Sequence, residues 1–257
     1  MDMNTPETQH RAMHLVMDAG KLLLENGGEV FRVQQTMQIM ADSLGIEGFH
    51  TYVITNGIFA SADACNEVRH IPSVSIHLGR VEAVNELSRE LAAGTLDLAG
   101  AEARLSQIRS VPSQGPAVLI ASAALGSACF GYLFGGGLPE MLAALIAGAS
   151  ESILTQLCRR WHISRIFSDI MSAAAGTAVA LLCRLLWPPL DVSTAAIGAL
   201  MVLTPGVSLA MGIRDIINAD YLSGAIRLLD AVLVAGCLAG GVVLTYTAAL
   251  AIWGVAI

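Results

Sequence analysis

The sequence predicts an α+β domain followed by an all-α membrane domain of five transmembrane helices. Three observations carry that prediction. Charge is divided unevenly: residues 1–115 hold 8 Arg+Lys and 14 Asp+Glu, a net −6, whereas residues 116–257 hold 6 and 7, a net −1, of the −7 overall. Uncharged apolar runs long enough to cross a bilayer, about 20 residues each, occur only after residue 110. Runs rich in β-branched and aromatic residues beside turn signals occur before residue 80. With 54% hydrophobic and 14% charged residues, this is the composition of an integral membrane protein with an appended domain. The excess charge is acidic and dispersed, which excludes a nucleic-acid surface. The five cysteines lie far apart without a CxxC and read as small hydrophobes. The N-terminus lacks a basic stretch followed by an apolar core, so no cleaved signal peptide is expected.

The front domain is expected over residues 1–112. A helix over 6–26 follows from Ala12, Leu15, Val16, Ala19, Leu22 and Leu23 at helical spacing, stopped by Asn26-Gly27-Gly28. A second helix, 29–44, has Val30, Val33, Met37 and Met40 on one stripe and ends at Gly45. Three β-type runs follow at 49–55, 58–61 and 74–78, with Asn56-Gly57 as a hairpin signal. Helices over 81–93 and 98–109, separated by Gly94, complete an ααβββαα order.

The membrane domain is expected over 113–257, with spans near 116–137, 138–158, 168–187, 192–213 and 229–255. Arg159, Arg160 and Arg165 lie in the link after the second span, and Arg214 and Arg227 in the link after the fourth, whereas the alternate links carry no basic residue. By the positive-inside rule the front domain is cytoplasmic and the C-terminus lies outside. Gly131 with Gly135, and Gly236 with Gly240, have the small-residue spacing of close helix contacts.

Candidate functional residues fall into three groups. Pro205 removes a backbone donor and clashes with the Met201 carbonyl, so the fourth span should kink or break there. Gly206 then allows close approach, and Thr204 can satisfy a freed carbonyl. Past this break, Arg214, Asp215, Asn218, Asp220 and Arg227 form a charged hairpin. Glu151 and Asp230 are acidic residues inside spans, where a charge costs on the order of 2.5–3.5 kcal/mol, and are candidates for proton coupling. Glu151 lies about 20 Å along its span at 1.5 Å per residue. Glu25, Asn26, Glu29 and Arg32 crowd the first helix junction, and His77 and Arg80 mark a turn into a helix. The competing account of the first junction is structural, with Glu29 in a helix first turn and Arg32 pairing with Glu25. His10 and His14 have metal-ligand spacing but no third ligand, so no metal and no cofactor is expected. No nucleophile–base–acid series is apparent, and no catalytic residue is assigned.

The segments KLLLENGGEVFRVQQTM (21–37), TNGIFAS (55–61), SIHLGRVEAVNELSREL (75–91) and LTPGVSLAMGIRDIINADYLSGAIRLLDA (203–231) resemble the threonine/serine exporter family, in particular its YjjP-like members. The resemblance covers essentially the whole chain. It implies a bacterial inner-membrane subunit that exports small polar metabolites, either threonine and serine or a dicarboxylate such as succinate. It further implies a smaller YjjB-like membrane partner, and hence a homo- and hetero-oligomer seated in membrane lipid. On this reading Arg214 and Arg227 attract a substrate carboxylate, Pro205-Gly206 forms the flexible translocation backbone, and Glu151 or Asp230 carries a proton. The alternatives are a membrane-anchored enzyme with a hydrolase-like cytoplasmic domain, and a regulatory domain on a channel.

Overall fold

The computed structural model describes residues 5–63, 65–72 and 74–253. The chain forms two compact units. The first comprises the chain up to Ser113 together with Ala210–Leu228, and the second comprises Gln114–Leu209 together with the chain from Leu229 on.

In the first unit, α1 (Pro6–Glu25) is the central element: Met13, Val16, Met17 and Leu24 are fully buried at helical spacing. Its N-terminus is fixed by Thr5, whose hydroxyl accepts from the Thr8 amide, with Pro6 in the first turn. Helix α2 (Val30–Ser43) packs Met37 into a gap left by Gly20, where a Cβ would overlap the methionine sulfur. Strands β1 (His50–Ile54), β2 (Gly57–Ala62) and β3 (Cys65–His70) form an antiparallel meander with Tyr52 opposite Phe59 and Phe59 opposite Val68. Helices α3 (Leu78–Ala92) and α4 (Leu98–Ser110) follow, capped by His77 and Asp97.

The order ααβββαα matches the sequence reading, but the third strand does not lie at 74–78. That run is irregular: the Ser75 amide donates to the Glu25 carbonyl at 2.8 Å and the His77 amide to the Asn26 carbonyl at 3.1 Å, which satisfies the backbone outside any sheet. The third strand is instead the polar CNEVRH segment, held by its register with β2. Val74, Ile76 and Leu78 are exposed, so their β-branched and apolar character does not report burial in a sheet.

The second unit contains α5 (Pro116–Leu133), α6 (Leu138–Arg160), α7 (Arg165–Leu186) and α8 (Val192–Leu200). Helix α9 (Gly206–Ile217) and helix α10 (Tyr221–Trp253) each run from one unit into the other. Among the described residues, four helices are long and apolar enough to cross a membrane: α5, α6, α7 and the Tyr221–Ile252 stretch of α10. The expected last span extends past residue 253, and that end lies outside the described residues. The span expected over 192–213 is not one helix. It divides into α8 and α9, of 9 and 12 residues, each below the 20 or so residues a helical span needs. A fifth continuous helical span is therefore not present at that place. Proline is the cause, as the sequence indicates: helix geometry is lost over 201–205, and the Thr204 hydroxyl donates to the Met201 carbonyl at 2.6 Å.

Glycines set the close contacts in the second unit, though not all those expected from spacing. Gly198 of α8 meets Gly131 of α5, where an added Cβ would stand 2.7 Å from the Gly131 Cα. Gly135 instead turns the end of α5 at φ 89°. Gly236 and Gly240 have open space above them, and it is Gly241 that lies against α7 at Ala173.

The α9–α10 turn carries a local conflict. Ala219 has φ 64°, while the Asp220 amide reaches the Asp215 carbonyl at 2.9 Å and the Ala219 amide reaches that of Ile216 at 3.0 Å. This is a Schellman-type helix end with alanine in the position that favours glycine. Ala219→Gly is expected to stabilise the chain by about 1 kcal/mol, read as a higher midpoint in thermal unfolding of the purified chain in detergent.

Candidate functional site

The α9–α10 hairpin packs within the first unit through glycines. An added Cβ on Gly224 would stand 2.9 Å from the Gly212 carbonyl oxygen and 2.6 Å from Ile216 Cγ1. This contact puts Asp215 of α9 beside Arg227 of α10. Arg227 Nε stands 3.0 Å from Asp215 Oδ2, with side chains 13% and 4% exposed, but neither atom is in hydrogen-bonding line. Arg227 Nη1 contacts Met211 Sδ at 3.1 Å. Burial pushes the Asp215 carboxyl above its ordinary range, Arg227 pulls it back, and the charges of Asp220 and Glu29 add to the upward push. Nearby, Arg214 pairs with Glu29, at the start of α2, at 2.5 Å.

Between this hairpin and the α2–β1 face lies a cleft of about 340 Å³, lined on one side by Phe31, Gln34 and Tyr52 and on the other by Asp215 and residues 218–222. The Asp220 carboxylate accepts from the Ser223 amide at 3.3 Å and so caps α10. The sequence reading did not include Phe31, Gln34 and Tyr52. Their signal was an exposed aromatic on an edge strand and another at a helix start, which has no meaning until the hairpin is placed opposite them.

The second unit holds a different arrangement. Glu151 of α6 is 2% exposed, and its Oε1 has no hydrogen-bond partner among the described residues. It fits only because α7 has Gly176 there: an added Cβ would overlap Oε1 and stand 2.5 Å from Cδ. Hydroxyls adjoin it along the α6–α7 seam, with Thr155 and Ser172 2.9 Å apart and Ser152 and Thr177 buried. Asp230 differs from Glu151: its side chain is 42% exposed and pairs with Arg165 at 3.2 Å, not with Arg227, and Asp169 shares the same arginine at 3.9 Å.

The sequence-predicted set therefore divides. Thr204, Pro205 and Gly206 belong to the second unit with Glu151 and Asp230, whereas Arg214, Asp215, Asn218, Asp220 and Arg227 belong to the first. The six front-domain residues also separate. Asn26, His77 and Arg80 interlock: Arg80 Nη1 donates to Asn26 Oδ1 at 3.3 Å, and its other guanidinium nitrogens donate to the Val111 carbonyl. The His77 ring accepts from the Arg80 amide at 3.2 Å as the cap of α3. Glu29 is engaged by Arg214, Glu25 pairs with Lys21 at 3.7 Å, and Arg32 is exposed. His14 sits in an ion-pair cluster with Glu67 and Arg69, at 3.0 and 2.8 Å, while His10 is exposed.

Comparison with known proteins bears on what this geometry serves. A family model described as "Putative threonine/serine exporter" (ThrE) matches residues 14–249. The chain is 26% identical over 254 residues to the "Probable succinate transporter subunit YjjP" of Escherichia coli (strain K12), covering 96% of this chain and 97% of that protein. Comparison with solved structures gives no match. With the family match running through both compact units and the four long apolar helices, this membrane protein belongs to the threonine/serine exporter family.

Proposed function

We propose that the chain is a subunit of a secondary exporter of small polar metabolites, coupled to protons through Glu151. The observation that carries the coupling is the buried, unpartnered carboxyl of Glu151 on an apolar helix, seated over Gly176 beside a row of hydroxyls. A carboxyl taken out of water without a cation to pair with has no structural use that an apolar residue would not serve better. Asp230, half-exposed and already paired with Arg165, is the weaker candidate.

The front unit is cytoplasmic on this reading, in a bacterial inner membrane. Supporting this, the basic link Arg159–Arg160–Arg165 fits the positive-inside rule, and Ala210–Leu228 with its two arginines packs in the same compact unit as the front domain. α8, the irregular 201–205 segment and the start of α9 then make the return crossing as a broken helix. Irregular backbone at membrane depth is tolerated where it lines a cavity or is buried in protein, which makes Thr204-Pro205-Gly206 the candidate translocation backbone. The relative from Escherichia coli is named as a transporter subunit, and the chain described here is proposed to work with a second membrane chain, a smaller YjjB-like protein.

Efflux from cells carrying this chain with its partner, measured for threonine, serine and succinate over a range of external pH, tests the proposal. Glu151→Gln is expected to abolish the pH dependence of efflux while the protein still reaches the membrane at normal levels. Unchanged, pH-dependent efflux by that variant would remove Glu151 from the coupling.

A further inference from the structure

Helices α6 and α7 meet along a seam whose two directions from Glu151 differ in chemistry. Toward the link between the helices the seam carries hydroxyls. One turn along, Thr155 of α6 faces Ser172 of α7 with their oxygens 2.9 Å apart, and Ser172 is fully buried. A further turn along, Ser168 is buried as well. Beyond it the seam ends at Asp169, which shares Arg165 with Asp230, at 3.9 and 3.2 Å. In the other direction the buried positions are Ala147, Ala144 and Ala143 on α6 and Ala180 and Leu181 on α7. The hydroxyls nearest that side are turned away: Thr177 donates to the Ala173 carbonyl of its own helix at 2.8 Å, and Ser127 of α5, opposite Gly148, donates to the Ala199 carbonyl at 3.4 Å.

Among the described residues no charged group lies near enough to act on Glu151. Helices α5 and α8 carry none, and the titratable Cys129 and Tyr132 of α5 are exposed. On α7 the nearest charges are Asp169 and Arg184, seven and eight positions from Gly176, which is about 10–12 Å along the axis. The thiols of Cys158 on α6 and Cys183 on α7 stand seven positions from Glu151 and Gly176, and the Asp230 carboxylate of α10 is held by Arg165. Because Glu151 Oε1 has no hydrogen-bond partner, only the space over Gly176 holds the carboxyl in place. Rotation about its side-chain bonds carries it toward the next turn, about 6 Å away. There Thr155 already donates to the Glu151 backbone carbonyl at 2.9 Å, which leaves the Ser172 hydroxyl as the donor to Thr155. A hydroxyl gives up its proton as it accepts another on a free lone pair, so such a pair passes a proton with neither oxygen left charged. The alanine methyls on the other side offer no equivalent.

We propose that the α6–α7 seam is a one-sided proton route, in which Thr155, Ser172 and Ser168 connect Glu151 with the Arg165–Asp169–Asp230 cluster at the link end. This rests on the coupling role given to Glu151 above and adds the direction of exchange. On the orientation proposed above, the link end is the cytoplasmic one.

The test reads proton exchange at Glu151 directly, without transport. In infrared difference spectra of the full chain in lipid, the protonated Glu151 carboxyl is the C=O band that Glu151→Gln removes. The shift of that band on transfer to D2O gives the exchange rate. Ser172→Ala and Thr155→Val are each expected to slow the exchange about tenfold or more, since each removes one hydrogen-bonding link. Thr155→Ser, which keeps the hydroxyl, is expected to exchange at the native rate, and so is Ser127→Ala on the opposite side. Native exchange in both hydroxyl-lacking variants, or slowing by Ser127→Ala in their place, overturns the route. Absence of any such band at every pH where the chain stays folded overturns the route and the coupling together. If exchange slows as expected but Glu151→Gln leaves efflux pH-dependent, the coupling reading fails and the route stands. If Glu151→Gln abolishes the pH dependence while exchange ignores Thr155 and Ser172, the coupling stands and the route falls.

Discussion

Removing either member of the Asp215–Arg227 pair is expected to be among the most damaging single changes to the first unit. Both side chains are buried, and Arg227 to alanine leaves a carboxylate with no cation in a site closed by Met211, Gly212 and Leu228. Breaking a buried pair from one side costs about 3–5 kcal/mol, because the remaining charge is left uncompensated. The arginine stem also packs against the hairpin, with its Cβ 3.2 Å from where a Gly212 Cβ would stand, so part of the loss is packing. Asp215→Leu combined with Arg227→Met removes both charges together and is expected to recover most of that loss. Denaturant unfolding of the four proteins in detergent closes the double-mutant cycle. A double variant as unstable as the sum of the singles would show that the pair is not the coupled unit the geometry describes.

Gly176→Ala is expected to give the largest effect in the second unit from the smallest chemical change. A methyl at that position occupies the volume of the Glu151 carboxyl, overlapping Oε1 and standing 2.6 Å from Cγ. Overpacking of this kind costs about 1–3 kcal/mol. Here relief requires moving Glu151 out of its seat or separating α6 from α7. The variant is expected to lose pH-dependent efflux as Glu151→Gln does, with the added loss of thermal stability that the isosteric change lacks. Combining Gly176→Ala with Glu151→Ala frees the volume and is expected to restore stability without restoring coupling. Efflux and thermal midpoint, measured together across these variants, separate the packing role from the proton role. Normal pH-dependent efflux by Gly176→Ala would show that the position of Glu151 is immaterial.

Much of the fold was legible because its causes are local. Apolar spacing defined α1 and α2 to within a few residues, and long, charge-poor apolar runs defined α5, α6 and α7. Pro205 announced the break in the expected fourth span through a missing donor and a steric clash, both properties of one residue. The third strand was not legible. Segment 65–70 is polar and becomes a strand only because β2 pairs with it, whereas 74–78 has the composition of a strand but gives its backbone hydrogen bonds to the α1–α2 turn.

The site was legible by residue type and not by partner. Glu151 could be singled out from charge within an apolar run, but its glycine seat comes from another helix 25 positions later. Arg214 and Arg227 looked available to a substrate until the fold paired them with Glu29 and Asp215, the first 185 residues away in sequence. By itself the sequence determined which segments are helical, which are apolar enough for lipid, where one of them must break and which family the chain resembles. Only the tertiary structure decided which charges are neutralised and which face open space. Composition and periodicity act over a few residues, whereas ion pairing and burial depend on side chains that the folded chain brings together from distant positions.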